Sequence, residues 1–404
     1  MRIRSITCFI HPRWPLSELV LQKAGIFAQH AKQAFETAGY TVQTLRMATP
    51  PFAEFLVPED YAHAATRIEV FAHSEGFEYV AMGPALTHLP ESYEIIPDLL
   101  ASSGNLFFSG HLTTQQSQIS LPAVRACAEV IQRAAPLEKD GFANLRFAAL
   151  ANVPPYAPFF PAAYHQGKAP AFALALEAAD LAVSAFTGAE SLESARTELI
   201  NQITTHAQAL EAVGERLAHA YQIEFKGLDF TLAPFPEPAK SLGNALEQLG
   251  LPAIGLSGSL AAAAFLTDTL DRASFKRTGF NGLMLPLLED ATLAKRGAQG
   301  ILTVTDLLLY ATVCGTGLDT IPLPGDTSVE QIHAVLLDLA ALSLRLNKPL
   351  TARLMPIPGK QAGDETGFEF EFFANSKVLA LPAEPLTGLL GGDETFNIFS
   401  RHKP

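Results

Sequence analysis

The chain opens with Ile3-Arg4-Ser5-Ile6-Thr7-Cys8-Phe9-Ile10, a short apolar stretch that predicts a β-strand. Residues 17–39 follow with the period of an amphipathic helix that ends at a glycine, and residues 41–47 predict a second strand. Strand, helix and strand in that order indicate a βαβ unit. This opening therefore places the chain in the α/β class, in which strands and helices alternate.

The same alternation continues through the rest of the chain. Further strands are predicted at residues 79–82, 145–151, 223–233, 282–288 and 350–357. Further helices are predicted at residues 61–75, 121–135, 192–221, 241–250, 260–270, 305–312 and 329–346. No charge run, low-complexity tract or internal repeat interrupts this pattern. We therefore expect a single α/β barrel-like domain over residues 1–404.

Composition and charge limit the kind of partner. The chain has 404 residues, of which 48% are hydrophobic and 17% are charged, so it can bury a large core. A net charge of -13 without a lysine or arginine cluster disfavours nucleic acid and anionic membranes, and no apolar run reaches membrane-spanning length. Three scattered cysteines are too few for a disulfide framework or a zinc site. We expect a cytoplasmic protein with a small-molecule ligand.

One segment concentrates groups that can do chemistry. It reads Val313-Cys314-Gly315-Thr316-Gly317-Leu318-Asp319-Thr320-Ile321-Pro322-Leu323-Pro324-Gly325-Asp326 and is predicted to connect two helices. Cys314 is a candidate nucleophile or radical carrier, although a buried thiol behaves as a small hydrophobe when nothing activates it. Asp319 is a candidate catalytic carboxylate. Asp326 could bind a ligand or cap the helix predicted to begin near residue 329.

Other candidate residues follow predicted strands, because loops at the carboxyl ends of parallel strands gather around one crevice. His165 is a candidate general base or a structural histidine, and Glu289 could share acid and base roles or bind a divalent cation with Asp290. Asp290 could equally cap the next helix. The remaining candidates for binding a ligand are Asn105, Asp229, Lys348 and Arg353, and the two basic residues could bind an anionic group. Arg353 could instead pair with one of the aspartates named above.

The order of these motifs resembles a known family. The carrying residues are Asp229 to Pro236, Ser241, Pro286 to Asp290, Cys314 with Gly317 to Asp319, Pro324 to Thr327, Lys348, Arg353 and Pro356 to Lys360. They are similar to the uncharacterised prokaryotic family called domain of unknown function 711, or UPF0210. The N-terminal strand, the turn at residues 103–105 and the run at residues 158–165 match it more loosely.

This resemblance implies a ten-stranded α/β barrel like that of pyruvate formate-lyase, with a loop inside the barrel and a homodimeric assembly. In the glycyl radical enzymes the working cysteine lies on such a loop, and Cys314 occupies the matching position. Those enzymes also need a C-terminal Arg-Val-x-Gly-like motif, which this chain lacks, so we expect no glycyl radical. An eight-stranded TIM-like barrel with insertions is the alternative fold.

Three functions remain open at this point. The first is an enzyme that uses Cys314 and strand-end carboxylates on a small polar or anionic metabolite, with Lys348 or Arg353 binding the anion. The second is a metal-dependent hydrolase or lyase built on Glu289 and Asp290, which would need a divalent metal as cofactor. The third is a metabolite-binding regulatory protein that retains the pocket without catalysis.

Overall fold

A computed structural model describes residues 1–313 and 315–401. Its strands are β1 (Arg2–Phe9), β2 (Val42–Ala48), β3 (Tyr79–Ala85), β4 (Leu106–His111), β5 (Gln118–Ser120), β6 (Phe147–Ala151), β7 (Ala171–Glu177), β8 (Glu224–Ala233), β9 (Gly317–Pro324), β10 (Leu350–Ile357) and β11 (Thr395–Asn397). Its α-helices are α1 (Glu18–Thr37), α2 (Phe52–Phe55), α3 (Tyr61–Ser74), α4 (Glu91–Glu94), α5 (Ile96–Ala101), α6 (Leu121–Ala134), α7 (Ala179–Phe186), α8 (Leu192–Tyr221), α9 (Leu242–Gln248), α10 (Ser259–Arg272), α11 (Ala291–Ala298), α12 (Val304–Tyr310) and α13 (Val329–Leu346). Short 3-10 turns cover Pro58–Asp60, Ala135–Leu137, Lys139–Arg146, Pro238–Lys240 and Gly388–Gly391.

The architecture rests on one mixed sheet. In the described residues it has nine strands in the order β8-β7-β1-β2-β3-β4-β6-β10-β9. The five central strands are parallel, whereas the outer pairs β7 with β8 and β10 with β9 run antiparallel to them. The α/β class is therefore confirmed. The TIM-like alternative is wrong, because that barrel needs eight parallel strands.

The two edge strands, β8 and β9, are both contacted by the same stretch of chain. Its first part lies against β8, where Leu228 and Arg277 form an isolated parallel bridge and the Met284 amide donates to the Thr231 carbonyl at 3.0 Å. Its last part lies against β9, where the Leu287 amide donates to the Asp319 carbonyl at 3.0 Å. The strand predicted at residues 282–288 is therefore a set of isolated contacts and not a regular strand.

The sheet has two differently covered faces. Residues such as Ile6 and Cys8 of β1 pack with helical residues in the main hydrophobic core, so helices cover this face. The opposite face packs against the segment 153–165, which is itself mostly buried: Phe160 belongs to a buried cluster with Ala48 of β2 and Phe107 of β4, and Phe159 belongs to a separate cluster. An irregular segment thus lies on this second, inner face of the sheet, where the His165 amide donates to the Thr49 carbonyl at 2.9 Å.

Several elements differ from the sequence predictions. The segment before Pro324 forms strand β9, although it was predicted as a glycine-rich connection. Its prolines fit because β9 lies at the sheet edge, where no ladder donor is needed on one side. Asn105 precedes β4 and does not follow a strand, so the premise on which it was chosen is wrong. None of the described helices is long and apolar enough to cross a bilayer.

Candidate functional site

A cavity of about 190 Å³ lies at the amino ends of the central strands. Its polar wall is unusually rich in arginine for a buried site, and its apolar wall consists of aromatic rings. The side chains that line it include Arg4, Thr44, Arg46, Tyr79, Phe159, Phe160, Glu289 and Arg353. Because the outer strands are antiparallel, Arg353 of β10 and Glu289 reach the same end of the sheet.

Two of these arginines lie at irregularities in the sheet. In the pairing of β1 with β7, Ile3 faces Leu176 and Ser5 faces Ala175, so Arg4 is an extra residue between them. In the pairing of β10 with β9, two residues, Asp319 and Thr320, lie opposite Arg353 alone. Such bulges re-aim side chains and often occur beside functional sites. They explain how charged side chains converge within an otherwise apolar sheet.

Thr320, in the second bulge, has a strained backbone conformation. Its φ is 47°, in the left-handed region that a β-branched residue rarely adopts. Its hydroxyl accepts a hydrogen bond from the Leu288 amide at 3.3 Å, which ties the bulge to the residue before Glu289. Backbone strain of this kind persists only where the surroundings enforce it, and it concentrates at functional sites.

Glu289 joins the two arginines into one buried network. Its Oε1 accepts from Arg353 Nη2 at 2.7 Å, and its Oε2 accepts from Arg4 Nη2. The Nε of Arg353 donates to Asp319 Oδ1. The side chains of Glu289, Arg353 and Asp319 are only 3%, 5% and 0% exposed. Their charges are therefore stabilised by one another and not by water.

The two carboxylates of this network differ in acidity. Burial disfavours the charged form of Glu289, but Arg4 and Arg353 together outweigh it, and the pKa of Glu289 falls below its ordinary value. Burial raises the pKa of Asp319, and the charge of Glu289 adds to that rise despite the Arg353 contact. The Oδ2 of Asp319 is buried without a hydrogen-bond partner among the described residues. Of the two carboxyl groups, Asp319 is thus the one whose protonated form this environment favours more.

Arg46 is the cation of this cavity that lacks a carboxylate. Its Nε donates to Thr44 Oγ1 at 2.9 Å, and its guanidinium carbon lies 5.1 Å and 5.7 Å from the ring centroids of Phe160 and Tyr79. Within residues 1–313 and 315–401 it forms no ion pair. Burial, with the charge of Arg4, lowers the pKa of Arg46 to about 10, so it stays cationic at neutral pH.

Sequence reasoning missed Arg4 and Arg46. A signal was available, because each arginine interrupts a strand among apolar residues: Arg4 lies between Ile3 and Ile6, and Arg46 lies between Leu45 and Met47. A long cationic side chain inside a buried strand needs a specific partner. The predicted residues Glu289, Asp319 and Arg353 are brought together, whereas Cys314 lies outside the described residues.

The two carboxylates Asp229 and Asp290, which were predicted to bind a ligand, accept hydrogen bonds from backbone amides of the fold. Asp290 caps α11 by accepting from the Thr292 and Leu293 amides, and it also accepts from Ser241 Oγ at 2.6 Å. Asp229 accepts from the Phe280 and Asn281 amides at 3.0 and 3.1 Å. All four of these amides are backbone donors that burial would otherwise leave unpaired. Asp290 is therefore a helix cap, as the alternative prediction for this residue proposed.

Three further candidates do not line the arginine cavity. Asp326 is exposed and contacts Gln361, while the cap of α13 is Ser328, so the predicted capping role of Asp326 is wrong. Lys348 precedes β10, and its carbonyl accepts from Ser343 Oγ at 2.6 Å. Asn105 is half-buried beside Gly104, which does line the cavity.

His165 lies in a different cavity, at the carboxyl ends of the central strands. The structure therefore separates it from Glu289, Asp319 and Arg353, with which the sequence grouped it. Among the described residues no group of three or more histidine, cysteine or acidic side chains could hold a metal ion. The adjacent carboxylates of Glu289 and Asp290 already have partners: Glu289 accepts hydrogen bonds from two arginines, and Asp290 caps a helix.

These features define an α/β protein with a small arginine-lined cavity on the inner face of a mixed sheet. The chain belongs to the family described as Uncharacterised ACR (DUF711), whose model matches residues 1–372, so the resemblance inferred from the motifs is confirmed. It is 30% identical over 368 residues to the UPF0210 protein of Pyrobaculum arsenaticum, covering 86% of this chain and 81% of that one. It is 27% identical over 405 residues to the UPF0210 protein of Oleidesulfovibrio alaskensis, covering 93% and 87%.

Proposed function

We propose that the chain is an enzyme that binds a small carboxylate-bearing metabolite in the arginine-lined cavity. The observation that carries this proposal is Arg46, a half-buried cation that faces the cavity and has no ion-pair partner among the described residues. A guanidinium group taken from water without a partner costs free energy that an anionic ligand offsets. Arg46 would bind the carboxylate of that ligand.

Charge and size narrow the ligand class. The cavity wall carries the cations Arg4, Arg46, Arg146 and Arg353, of which the first and last share Glu289. Arg146 is paired with Glu138, so the wall keeps an excess of positive charge, and Arg46 is the member of it that has no carboxylate partner among the described residues. A space of about 190 Å³ lies below the usual range of about 300–1,000 Å³ for drug-sized ligands, which favours a metabolite of few atoms.

Asp319 and Cys314 have separate roles in this proposal. Asp319 is the proton carrier, because burial favours its protonated form and its Oδ2 is not bound to a described group. Cys314 is the nucleophile, a role that rests on its place five residues earlier in the sequence. Its neighbour Thr316 is buried, and Thr316 Oγ1 donates to the Leu283 carbonyl at 2.8 Å, which anchors the segment leading into β9.

A metabolite-binding regulatory protein is the second candidate. In this candidate Arg46 also binds the carboxylate, but no product is formed. The two candidates therefore differ in whether Asp319 and Cys314 have catalytic roles. A metal-dependent hydrolase or lyase receives less support, because the carboxylate oxygens of Glu289 and Asp290 already accept hydrogen bonds from arginines and backbone amides.

We also propose that residues 277–288 close the sheet into the ten-stranded barrel of the pyruvate formate-lyase type, within a single domain. The contacts of this stretch with both β8 and β9 support the closure. Slow hydrogen exchange at the Met284 and Leu287 amides is expected if these bonds persist. A cytoplasmic homodimer completes the proposal, and light scattering of the purified protein measures the assembly.

The experiment is a thermal-shift screen with acetate, pyruvate, malonate and succinate on the wild type and on Arg46→Met. A carboxylate at 100 times its wild-type Kd stabilises the wild type by about 2.7 kcal/mol, and it stabilises Arg46→Met by only about 0.3–1.4 kcal/mol if the Kd of the variant is about 10- to 150-fold higher. Arg216→Gln is the matched control, because it removes the same charge from an exposed helical position. Equal shifts in the wild type and Arg46→Met, or no shift with any acid, would contradict the proposal.

Turnover is tested separately with the acid that binds. Asp319→Asn and Cys314→Ser are expected to retain the thermal shift and to lose product formation, measured by proton NMR of the reaction mixture. Binding without product in the wild type would favour the regulatory candidate. Full activity in both variants would remove the assigned catalytic roles.

A further inference from the structure

A second cavity, of about 470 Å³, lies at the carboxyl ends of the central strands. It falls within the range of about 300–1,000 Å³ typical of small-molecule sites, and it stands on the loops after β2, β3, β4 and β6. Loops at this end of parallel strands are the usual location of ligand sites in α/β sheets. Nothing in the proposed function uses this cavity.

His165 is the side chain that indicates a ligand there. It lines the cavity, it is fully buried, and neither ring nitrogen has a hydrogen-bond partner among the described residues. Its position is fixed, because its amide donates to the Thr49 carbonyl at 2.9 Å and its ring meets that of Tyr156 at 5.7 Å. Two unpaired nitrogens on a buried ring are costly unless a ligand satisfies them.

The charge state of the cavity argues against an anionic ligand. Burial lowers the pKa of His165 to about 4, with His11 and Lys226 adding to that effect, and burial lowers the pKa of His111 to about 4. Both rings are thus neutral at neutral pH, and each offers one donor and one acceptor nitrogen. No lysine or arginine is among the described lining residues, which do include Glu54. An anion would therefore meet a carboxylate with no cation to offset it.

Hydroxyl groups match this lining best. A hydroxyl both donates and accepts a hydrogen bond, as a neutral imidazole does, whereas a carboxylate only accepts. Asn152 adds an amide to the same wall, and Tyr164, whose hydroxyl donates to the Val153 carbonyl at 2.9 Å, adds an aromatic edge. We propose that this cavity is a second ligand site that binds an uncharged polyhydroxy compound, a monosaccharide or cyclic polyol, through His165 and His111.

The experiment follows the histidine ring resonances of the full chain by proton-nitrogen NMR during titration. The probes are myo-inositol, D-ribose and D-glucose, with D-gluconate as the anionic match and D-glucosamine as the cationic match of glucose. At least one neutral probe is expected to shift the His165 and His111 resonances to saturation, while gluconate shifts neither. His165→Phe is expected to weaken that binding about tenfold or more, and His73→Phe, at an exposed position, is expected to leave it unchanged.

Three outcomes would overturn the proposal. Titrations in which none of the neutral probes moves the two resonances would remove the site, and this result needs no variant to fold. Saturable binding of gluconate or glucosamine without any neutral probe would refute the uncharged class. Unchanged affinity in a folded His165→Phe protein would remove His165 from the site. None of these results bears on the carboxylate cavity, because Arg46 lines only that cavity.

Discussion

Replacing Glu289 by glutamine tests whether the buried charge network has the arrangement described. In the wild type the two oxygens of Glu289 accept from Arg4 and Arg353 separately. Glutamine retains one acceptor oxygen and places an amide donor against the other guanidinium group. The variant therefore loses one charge-assisted hydrogen bond and leaves a buried arginine facing a donor.

The expected loss of stability is large. Removing one partner of a buried ion pair costs about 3–5 kcal/mol, because the charge that remains is uncompensated. This range applies here because Glu289 and Arg353 are 3% and 5% exposed, and Arg4 is 17% exposed. The assay is guanidinium chloride unfolding of the wild type and Glu289→Gln, with Glu193→Gln as the control. Glu193 pairs with Arg196 at the surface, where such pairs contribute about 0–1 kcal/mol.

A loss in Glu289→Gln no greater than that in Glu193→Gln would refute the reasoning. The pH dependence gives a second check. The folded pKa of Glu289 lies below its unfolded value of about 4.3, so its contribution is complete above that pH and disappears as the pH falls through the folded pKa. The stability difference between the wild type and Glu289→Gln should therefore narrow below about pH 4.

The remaining predictions concern the structural carboxylate and the two neutral histidines. Asp290→Ala is expected to lower the free energy of unfolding by about 2 kcal/mol, because a helix cap and further buried hydrogen bonds are lost. Asp326→Ala, at an exposed position, should change it by no more than about 0.5 kcal/mol. Chemical denaturation measures both variants, and equal losses would contradict the structural role of Asp290. Ring NMR titration should find His111 and His165 neutral down to about pH 5, because burial lowers the pKa of each to about 4. Since their unfolded pKa is about 6.5, their burial makes the protein less stable as the pH falls from about 6.5 towards 4, and titration of both rings near pH 6.5 would refute this.

Long periodic elements could be predicted from the sequence. Residues 192–221, 329–346 and 350–357 were predicted with the bounds that α8, α13 and β10 have. In the two helices one apolar face repeats over many turns, and β10 is a largely apolar run whose residues, including Thr351 and Arg353, are all buried. These patterns are local, so reading them needs no knowledge of the rest of the fold.

Elements that depend on their place in the sheet could not be predicted in the same way. Strand β9 contains Gly317, Pro322 and Pro324, which act against a strand locally and are accommodated only at an edge. Strand β7 is alanine-rich and merges in the sequence with α7, so its period gives no boundary between strand and helix.

The candidate site was predicted in part, for a reason that concerns strand direction. We expected all polar strand-end residues to meet at one crevice, as in a wholly parallel sheet. The outer pairs of strands are reversed, so Arg353 and Asp319 meet the amino ends of the central strands, whereas His165 lies at their carboxyl ends. Strand direction is a property of the whole fold and is not encoded in the period of any one segment.

The most direct test of the central claim is calorimetric titration of the best-stabilising carboxylate into the wild type, Arg46→Met and Arg216→Gln. A charge-assisted hydrogen bond contributes about 1.5–3 kcal/mol, so Arg46→Met should raise the Kd about 10- to 150-fold while Arg216→Gln leaves it unchanged. The same Kd in all three proteins would contradict the assignment of Arg46 as the anion-binding residue and, with it, the proposed carboxylate site.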